Sequence, residues 1–429
     1  MLNSASLAGL NNSQKQHIAN LLARLIETLD LSDTQYERIQ SAYHGVGTYL
    51  ADSDDPLLED AKIYPQGSVS LNTTVKPKNK EQYDIDLICY LPNASRASGD
   101  DVLKAIQKRL EDHGTYKHML SPLARGFRIN YAADYHLDIT PGKDYPRFAY
   151  GESHPLWVTD TKCGWKESNP SGYAGWFVEL SKKLPIRRML AVDQLYKADS
   201  MESIEPLPDH TQKKLLNRIV QILKRHRDEW AFDQGEKAVI FKPISAIITT
   251  LSAHAYWQIC SEKRVYDNDL DIIIDVLSLL PSFIAYDGSN FTVLNPAMQE
   301  ENFAEKWNIR EESKGEKLSS TFYAWHQAAF TSFELIASSV GEDVLMDNLQ
   351  KSFGENPVQS MRNTLMEKFN HCRKNNTLGV TAGIGSLTAV NPGITGKPAI
   401  PSQPIPANTF YGSQTGSTIT VKKNTFFGR

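Results

Sequence analysis

The sequence predicts an α+β protein in which a region of short strands lies between two helical regions. Apolar residues recur every three or four positions near the N-terminus, alternate with polar residues over about 64–150, and return to helical spacing over about 212–369. We therefore expect N-terminal helices with an α/β core in residues 1–200 and a helical domain in residues 201–374. A tail over residues 375–429 follows.

Composition and charge exclude several classes of protein. The 429 residues carry 46 Lys and Arg against 50 Asp and Glu, so there is no overall basic charge of the kind that binds nucleic acid in bulk. No apolar run reaches the roughly 18 residues of a membrane span, and no basic segment precedes an apolar core at the N-terminus. The four cysteines lie far apart, which favours reduced thiols. We expect a soluble protein of the cytoplasm.

Helices are predicted at both ends of this plan. Apolar residues over Ile18–Leu29 keep helical spacing behind a cap at Asn12 or Ser13, and Ser32 with Gln35 forms a capping-box pattern for a second helix. One helix is expected inside the core, at about residues 101–113. Three more helices are expected in the helical domain, where apolar residues keep helical spacing over Leu215–Leu223, Ile244–Trp257 and Leu270–Leu280.

The sharpest chemical signal is the stretch Tyr83–Cys89. Side chains alternate between the two faces of a strand, so Asp84 and Asp86 project together while the apolar residues between them project to the other face. Two carboxylates side by side repel each other unless a cation lies between them, and a divalent metal that prefers oxygen ligands supplies that cation. The alternative is two acids on the solvent face of an edge strand.

A third carboxylate follows in the same kind of pattern. Asp138 lies in His136–Thr140 between two apolar residues that occupy the other face of a strand. If the two strands are neighbours, the three carboxylates can hold two Mg²⁺ ions about 4 Å apart, an arrangement that supports in-line displacement at phosphorus. On its own, Asp138 is equally compatible with a surface or turn acid.

A glycine turn precedes the carboxylates. In Tyr64–Ser70, Gly67 allows the backbone amides to approach a phosphate closely, and Ser68 adds a hydroxyl donor. A Gly-Ser pair is common in ordinary loops. The pair is a more specific signal for a phosphate site here, because Asp84, Asp86 and then Asp138 follow it in the sequence.

This combination resembles the polymerase-β nucleotidyltransferase superfamily. Within it, residues 40–370 are similar to the cGAS/DncV-like nucleotidyltransferases (CD-NTases) of bacterial CBASS antiphage systems. The resemblance implies a polymerase-β-like core with a mixed sheet, and a bilobed molecule with the active site in the cleft. One departure is the long polar insert Lys76–Gln82 between the glycine turn and the first two acids.

The resemblance also implies a role for each candidate residue. Two Mg²⁺ or Mn²⁺ ions would be held by Asp84, Asp86 and Asp138, with Asp138 helping to deprotonate the attacking ribose hydroxyl. The donor triphosphate would be held by Gln66, Gly67, Ser68, Lys224 and Ser245. The alternative for Lys224 is that it belongs to a solvated basic face formed by the Lys and Arg residues over 213–227.

The implied activity is synthesis of a cyclic di- or trinucleotide second messenger from NTPs, which then acts on an antiphage effector. Three alternatives stay open. One is a linear oligoadenylate synthase, a tRNA nucleotidyltransferase or an antibiotic adenylyltransferase. Another is a non-catalytic module that senses nucleotides or RNA. The third is an RNA-activated enzyme, which is disfavoured because the chain carries −4 overall and residues 1–374 carry −8.

The tail is expected to be flexible and to lie outside the resemblance. Residues 375–429 contain no Asp or Glu and are rich in Gly, Pro, Ser, Thr and Asn, so they bury little apolar surface. They end in Gly428 and Arg429. Some CD-NTases are conjugated through a C-terminal glycine by a ubiquitin-conjugation-like partner, but here Arg429 would first have to be removed.

Overall fold

The computed structural model describes residues 12–78, 82–131, 135–146, 153–188 and 213–375, together with three short strands beyond them. The described residues fall into two units, one that extends to Met361 and one that starts at Arg362. In the part of the chain that is described, no helix has both the length and the apolar character needed to cross a membrane.

Twelve helices are described, and their starts agree with the caps expected from the sequence. The first begins at Asn12, and Ser32 and Gln35 form the expected capping box at the start of the second. The helices are α1 Asn12–Thr28, α2 Asp33–Ala51, α3 Gly67–Ser70, α4 Gly99–Asp112, α5 Pro170–Ser181, α6 Leu215–Asp233, α7 Glu236–Phe241, α8 Ser245–Ser261, α9 Asp269–Leu279, α10 Lys314–Ala337, α11 Glu342–Phe353 and α12 Glu355–Lys374.

A mixed seven-stranded sheet forms the core. Its strands are β1 Lys62–Pro65, β2 Tyr83–Tyr90, β3 Leu120–Leu123, β4 Gly126–Tyr131, β5 Tyr135–Asp144, β6 Leu156–Asp160 and β7 Gly164–Ser168. The order is β1-β2-β5-β4-β3, with β6 paired to both β5 and β7. Only β2 and β5 are parallel; the other pairs are antiparallel. The α+β class and the mixed sheet are confirmed.

One face of this sheet is apolar and packs against helices α2 and α4. Ile85 and Leu87 of β2 and Leu137 of β5 are almost fully buried, and they pack with Val102 and Ile106 of α4. Because side chains alternate along a strand, this burial leaves the residues between them on the opposite face. The acids of β2 and β5 are therefore fixed on the face that does not carry this core.

Helix α6 is buried on almost every side. Residues 216, 217, 219–227, 229 and 231 are all buried, and the helix packs against α8, α10 and α11. The largest buried side chains of this region include Trp325, Tyr256 and Phe333. A helix in this position is the structural centre of the helices that follow residue 213.

The structure adds elements that the sequence patterns did not predict. Strands β6 and β7 form a hairpin beyond residue 150. Six further short strands follow, and the last five of them interrupt the region expected to be mostly helical. These are β8 Ile186–Arg187, β9 Val265–Tyr266, β10 Ala285–Tyr286, β11 Phe291–Thr292, β12 Leu294–Asn295 and β13 Met298–Asn302.

The tail is described only in part. Three short antiparallel strands, β14 Leu378–Thr381, β15 Leu387–Ala389 and β16 Ser402–Pro404, pair in the order β15-β14-β16. The expectation of a flexible tail did not include these strands. Its other residues, including Gly428 and Arg429, lie outside the described residues.

Candidate active site

Three carboxylates meet on one face of the parallel pair β2–β5. Asp86 is directly opposite Asp138 in the register of the two strands, and Asp84 is opposite His136. The Asp84 side chain is 66% exposed, whereas Asp138 is only 17% exposed. The structure therefore brings together the three acids that the sequence singled out.

Asp86 lies at the centre of this negative charge. The pKa of Asp86 is raised to about 7, mostly by burial and also by the neighbouring carboxylates of Asp138 and Asp84, with Lys224 and Arg128 opposing the rise. The pKa of an isolated aspartate is about 3.9. A nearby cation therefore stabilises the ionised form of Asp86 more than it stabilises an ordinary solvent-exposed carboxylate.

Arg128 is part of the site, although the sequence analysis did not select it. It lies on β4, directly opposite Asp138 of β5. Its Nε and Nη2 atoms donate to the two Asp138 oxygens at 2.7 and 2.8 Å, and Nη2 also donates to Asp84 Oδ1 at 3.3 Å. The only sequence signal was its place in a strand-like stretch, because the register between β4 and β5 cannot be read from the chain.

His136 links the strand to Asp84. Its Nε2 contacts Asp84 Oδ1, and its Nδ1 lies 3.1 Å from the side-chain oxygen of Gln82. The His136 side chain is buried on β5, and its contact with Asp84 orients that carboxylate. A single strand histidine two residues before an acid was too weak a signal for the sequence to assign this contact.

The glycine turn packs directly against Asp86. The backbone N–H of Gln66 donates to the Asp86 carbonyl at 2.8 Å, and Gly67 has a left-handed φ of +59°. A Cβ on residue 67 would clash with the Asp86 carboxylate. Glycine is therefore required here both by its φ angle and by the approach of an acid.

Ser68 is held by the chain that follows it. The Thr73 N–H donates to the Ser68 carbonyl at 2.9 Å, and the Thr74 hydroxyl lies 3.4 Å from the Ser68 hydroxyl. These bonds fix the backbone of the turn beside the three carboxylates.

Lys224 is buried and does not belong to a solvated basic face. Only 6% of the residue is exposed, and its Nζ donates to the Thr73 carbonyl at 2.9 Å. Burial lowers the pKa of Lys224 to about 8, with Arg227 adding to this effect and Asp228 and Asp86 opposing it. The alternative of a solvated face is therefore wrong for this residue, because α6 is enclosed by its neighbours.

Ser245 is connected to α6 through Arg227. It is the first residue of α8, and its hydroxyl accepts a hydrogen bond from Arg227 Nη1 at 3.1 Å. Arg227 also forms an ion pair with Asp228, which Lys242 joins. Burial would raise the pKa of Asp228, but the positive charges of Arg227 and Lys242 hold it at about 2. Ser245 is therefore bonded to a group of ion-paired side chains that consists of Arg227, Asp228 and Lys242.

The donor set fits a divalent metal by its chemistry. Asp84, Asp86 and Asp138 offer hard oxygen ligands on one face, and burial together with the two neighbouring carboxylates raises the pKa of Asp86. Within the described ranges, no three acidic, histidine or cysteine groups are already gathered around one metal position. Arg128 and His136 hold the oxygens of Asp138 and Asp84 instead.

Part of the chain matches a known protein family, and the whole chain is similar to a named relative. Residues 17–180, which include all three acids and the glycine turn, match the family described as Second Messenger Oligonucleotide or Dinucleotide Synthetase domain. A protein of Roseivirga ehrenbergii named c-di-GMP synthase is 27% identical over 413 residues, which span 94% of this chain and 99% of that protein.

Solved structures share the fold at low sequence identity. The CD-NTase CdnG of Bradyrhizobium diazoefficiens, in complex with GTP, matches with a TM-score of 0.61 at 19% identity, over 81% of this chain and 98% of that one. CdnC of E. coli MS115-1, with ATP, matches with a TM-score of 0.52 at 14% identity, over 79% and 98%. Together with the matched domain and the full-length relative, these findings identify the chain as a nucleotidyltransferase that is similar to the cGAS/DncV-like nucleotidyltransferases (CD-NTases).

Proposed function

We propose that the protein joins nucleoside triphosphates into a cyclic dinucleotide by a two-metal mechanism. The observation that carries this proposal is the meeting of Asp84, Asp86 and Asp138 on adjacent parallel strands, with the turn at Gly67 packed onto Asp86. The turn that we propose to bind phosphate lies next to the oxygens that would hold two Mg²⁺ or Mn²⁺ ions. Bound ions would lower the pKa of the attacking hydroxyl and stabilise the leaving oxygens.

The side chains of the site would share the remaining work. The backbone of Gln66, Gly67 and Ser68 would hold the donor triphosphate, and Lys224 and Ser245 would add positive charge and a hydroxyl donor. A ribose hydroxyl would attack the α-phosphorus, pyrophosphate would leave, and the hydroxyl proton would pass to Asp138. Arg128 would first have to release one Asp138 oxygen, since it now occupies both.

GTP is the substrate that we propose first. The relative named c-di-GMP synthase aligns over nearly the whole of both chains, so its similarity includes the helical domain as well as the core. A second transfer that closes the ring would give a cyclic product.

We further propose that this product is a second messenger for an antiphage effector in the bacterial cytoplasm, and that the tail binds a conjugation-like or other regulatory partner.

The test is incubation of the purified protein with each radiolabelled NTP, singly and in pairs, with Mg²⁺ or Mn²⁺. Products are then treated with phosphatase and identified by mass spectrometry. We expect a phosphatase-resistant cyclic product when GTP is present. A product that phosphatase degrades would identify a linear oligonucleotide synthase, and no product with any NTP would contradict the proposal.

A further inference from the structure

Residues 71–78, which connect the glycine turn to the site strand β2, form neither helix nor strand. Backbone carbonyls in such a segment have no neighbouring strand to donate to them. Buried carbonyls nevertheless require donors. In this protein, side chains of α6 supply them.

Helix α6 meets the segment with a row of buried polar side chains. Four of its residues each donate a hydrogen bond to one carbonyl of the segment, and an ion pair follows further along. The hydrogen bonds are Asn217 to Leu71 at 2.7 Å, Gln221 to Thr74 at 2.7 Å, Lys224 to Thr73 at 2.9 Å and Arg225 to Lys76 at 3.4 Å, and Lys78 forms an ion pair with Glu229.

The spacing of these residues explains how a helix can support an extended chain. Positions 217, 221, 224, 225 and 229 follow the 3.6-residue period, so they form one stripe along α6. About three turns of helix span about 18 Å, and seven residues of extended chain span about 23 Å. The two elements therefore run side by side over a similar length.

The segment is also joined back to the glycine turn. The N–H groups of Leu71 and Thr73 donate to the carbonyls of Gly67 at 3.2 Å and of Ser68 at 2.9 Å. The Leu71 carbonyl, at the other end of the same residue, is the one that Asn217 holds. A displacement of residues 71–74 along α6 would therefore move the backbone that faces the phosphate site.

We propose that Asn217 and Gln221 are positioning residues for the donor triphosphate. They hold residues 71–74 in register along α6, and the segment in turn fixes Gly67 and Ser68. This inference rests on the proposed function, because it assumes that the turn binds the triphosphate. Neither side chain needs to touch the nucleotide.

The test replaces Asn217 with leucine, which keeps the size of the side chain and removes the donor. We expect the Kd for GTP, or for whichever NTP the wild type binds, to rise about fivefold to tenfold, as expected when one buried hydrogen bond is lost. The KM should rise by a similar factor, while kcat changes by less than twofold. Gln221→Met is the second variant; it leaves the Asn217 bond in place and removes the donor to Thr74, together with the Gln221 hydrogen bond to Asp30.

The matched control is Ser332→Ala. Ser332 lies 3.0 Å from Nε2 of His226, which points from α6 in the direction opposite to the Asn217 stripe. This variant should lose thermal stability and keep the wild-type Kd and KM. Two folded donor variants with wild-type KM and Kd would overturn the inference, as would a control that raises KM equally. A wild type that binds no NTP would contradict the proposed function itself.

Discussion

At the scale of single residues, the site depends on groups that approach each other closely. Gly67 is the clearest case, because its φ angle and its contact with Asp86 both exclude a side chain. Arg128 is the second, because its one guanidinium holds oxygens of two of the three acids. Each leads to a prediction that separates a role in the site from a role in folding.

Gly67→Ala should weaken NTP binding and lower stability. A residue other than glycine at φ +59° carries backbone strain of about 1–3 kcal/mol, and the added Cβ would push the Asp86 carboxylate away. Thermal unfolding and calorimetric NTP titration measure the two effects. The control is Gly114→Ala, since a Cβ at residue 114 meets no atom within 4 Å. If Gly67→Ala bound NTP as tightly as wild type, the turn would not be the phosphate site.

Arg128→Met should tighten the binding of Mn²⁺ to the nucleotide-free protein. The guanidinium now occupies both Asp138 oxygens, so its removal frees ligand atoms and removes a repelling positive charge. We expect affinity to rise about tenfold, which corresponds to about 1.4 kcal/mol. Calorimetric titration with Mn²⁺ measures this.

The control for this measurement is Arg125→Met. Arg125 is a nearby arginine that pairs with Asp160 and Glu305 instead of the three acids. Its replacement should leave Mn²⁺ affinity unchanged. Weaker Mn²⁺ binding by Arg128→Met would show that Arg128 orients Asp138 for the metal and does not compete with it.

At the scale of elements, α6 combines a structural role and a chemical one. It is buried by α8, α10 and α11, yet its polar residues face the segment that follows the glycine turn. Lys224 is enclosed there, and burial lowers its pKa to about 8. The Lys224 ammonium therefore loses its proton within a pH range that binding experiments can cover.

NTP affinity of the wild type should fall as the pH rises through about 8, because Lys224 then loses the proton that attracts the triphosphate. Lys224→Met should bind NTP about one to two decades more weakly at pH 7, with no such decline. Calorimetric titration between pH 6.5 and about 9.5 measures both. Lys214→Met, at the exposed start of α6, serves as the control. Equal affinities at pH 7 would show that neither the charge of Lys224 nor its hydrogen bond to Thr73 contributes to NTP binding.

At the scale of the whole molecule, local periodicity predicted the order of elements and the three acids. Asp84, Asp86 and Asp138 could be selected because a charged residue between apolar strand residues is conspicuous within a few positions of the chain. Arg128 could not, because its role depends on the register between β4 and β5. The burial of Lys224 also escaped prediction, since a basic run at helical spacing looks the same whether its helix is exposed or enclosed.

The most direct test of the account concerns the double variant Asp84→Asn with Asp86→Asn. The two substitutions remove two of the three carboxylates and keep the shape of the site, so folding should be unchanged or slightly improved as like-charge repulsion is relieved. We predict that the folded variant makes no detectable cyclic product from NTPs and Mg²⁺ by mass spectrometry. Product formation within tenfold of wild type would contradict the assignment of these acids to catalysis.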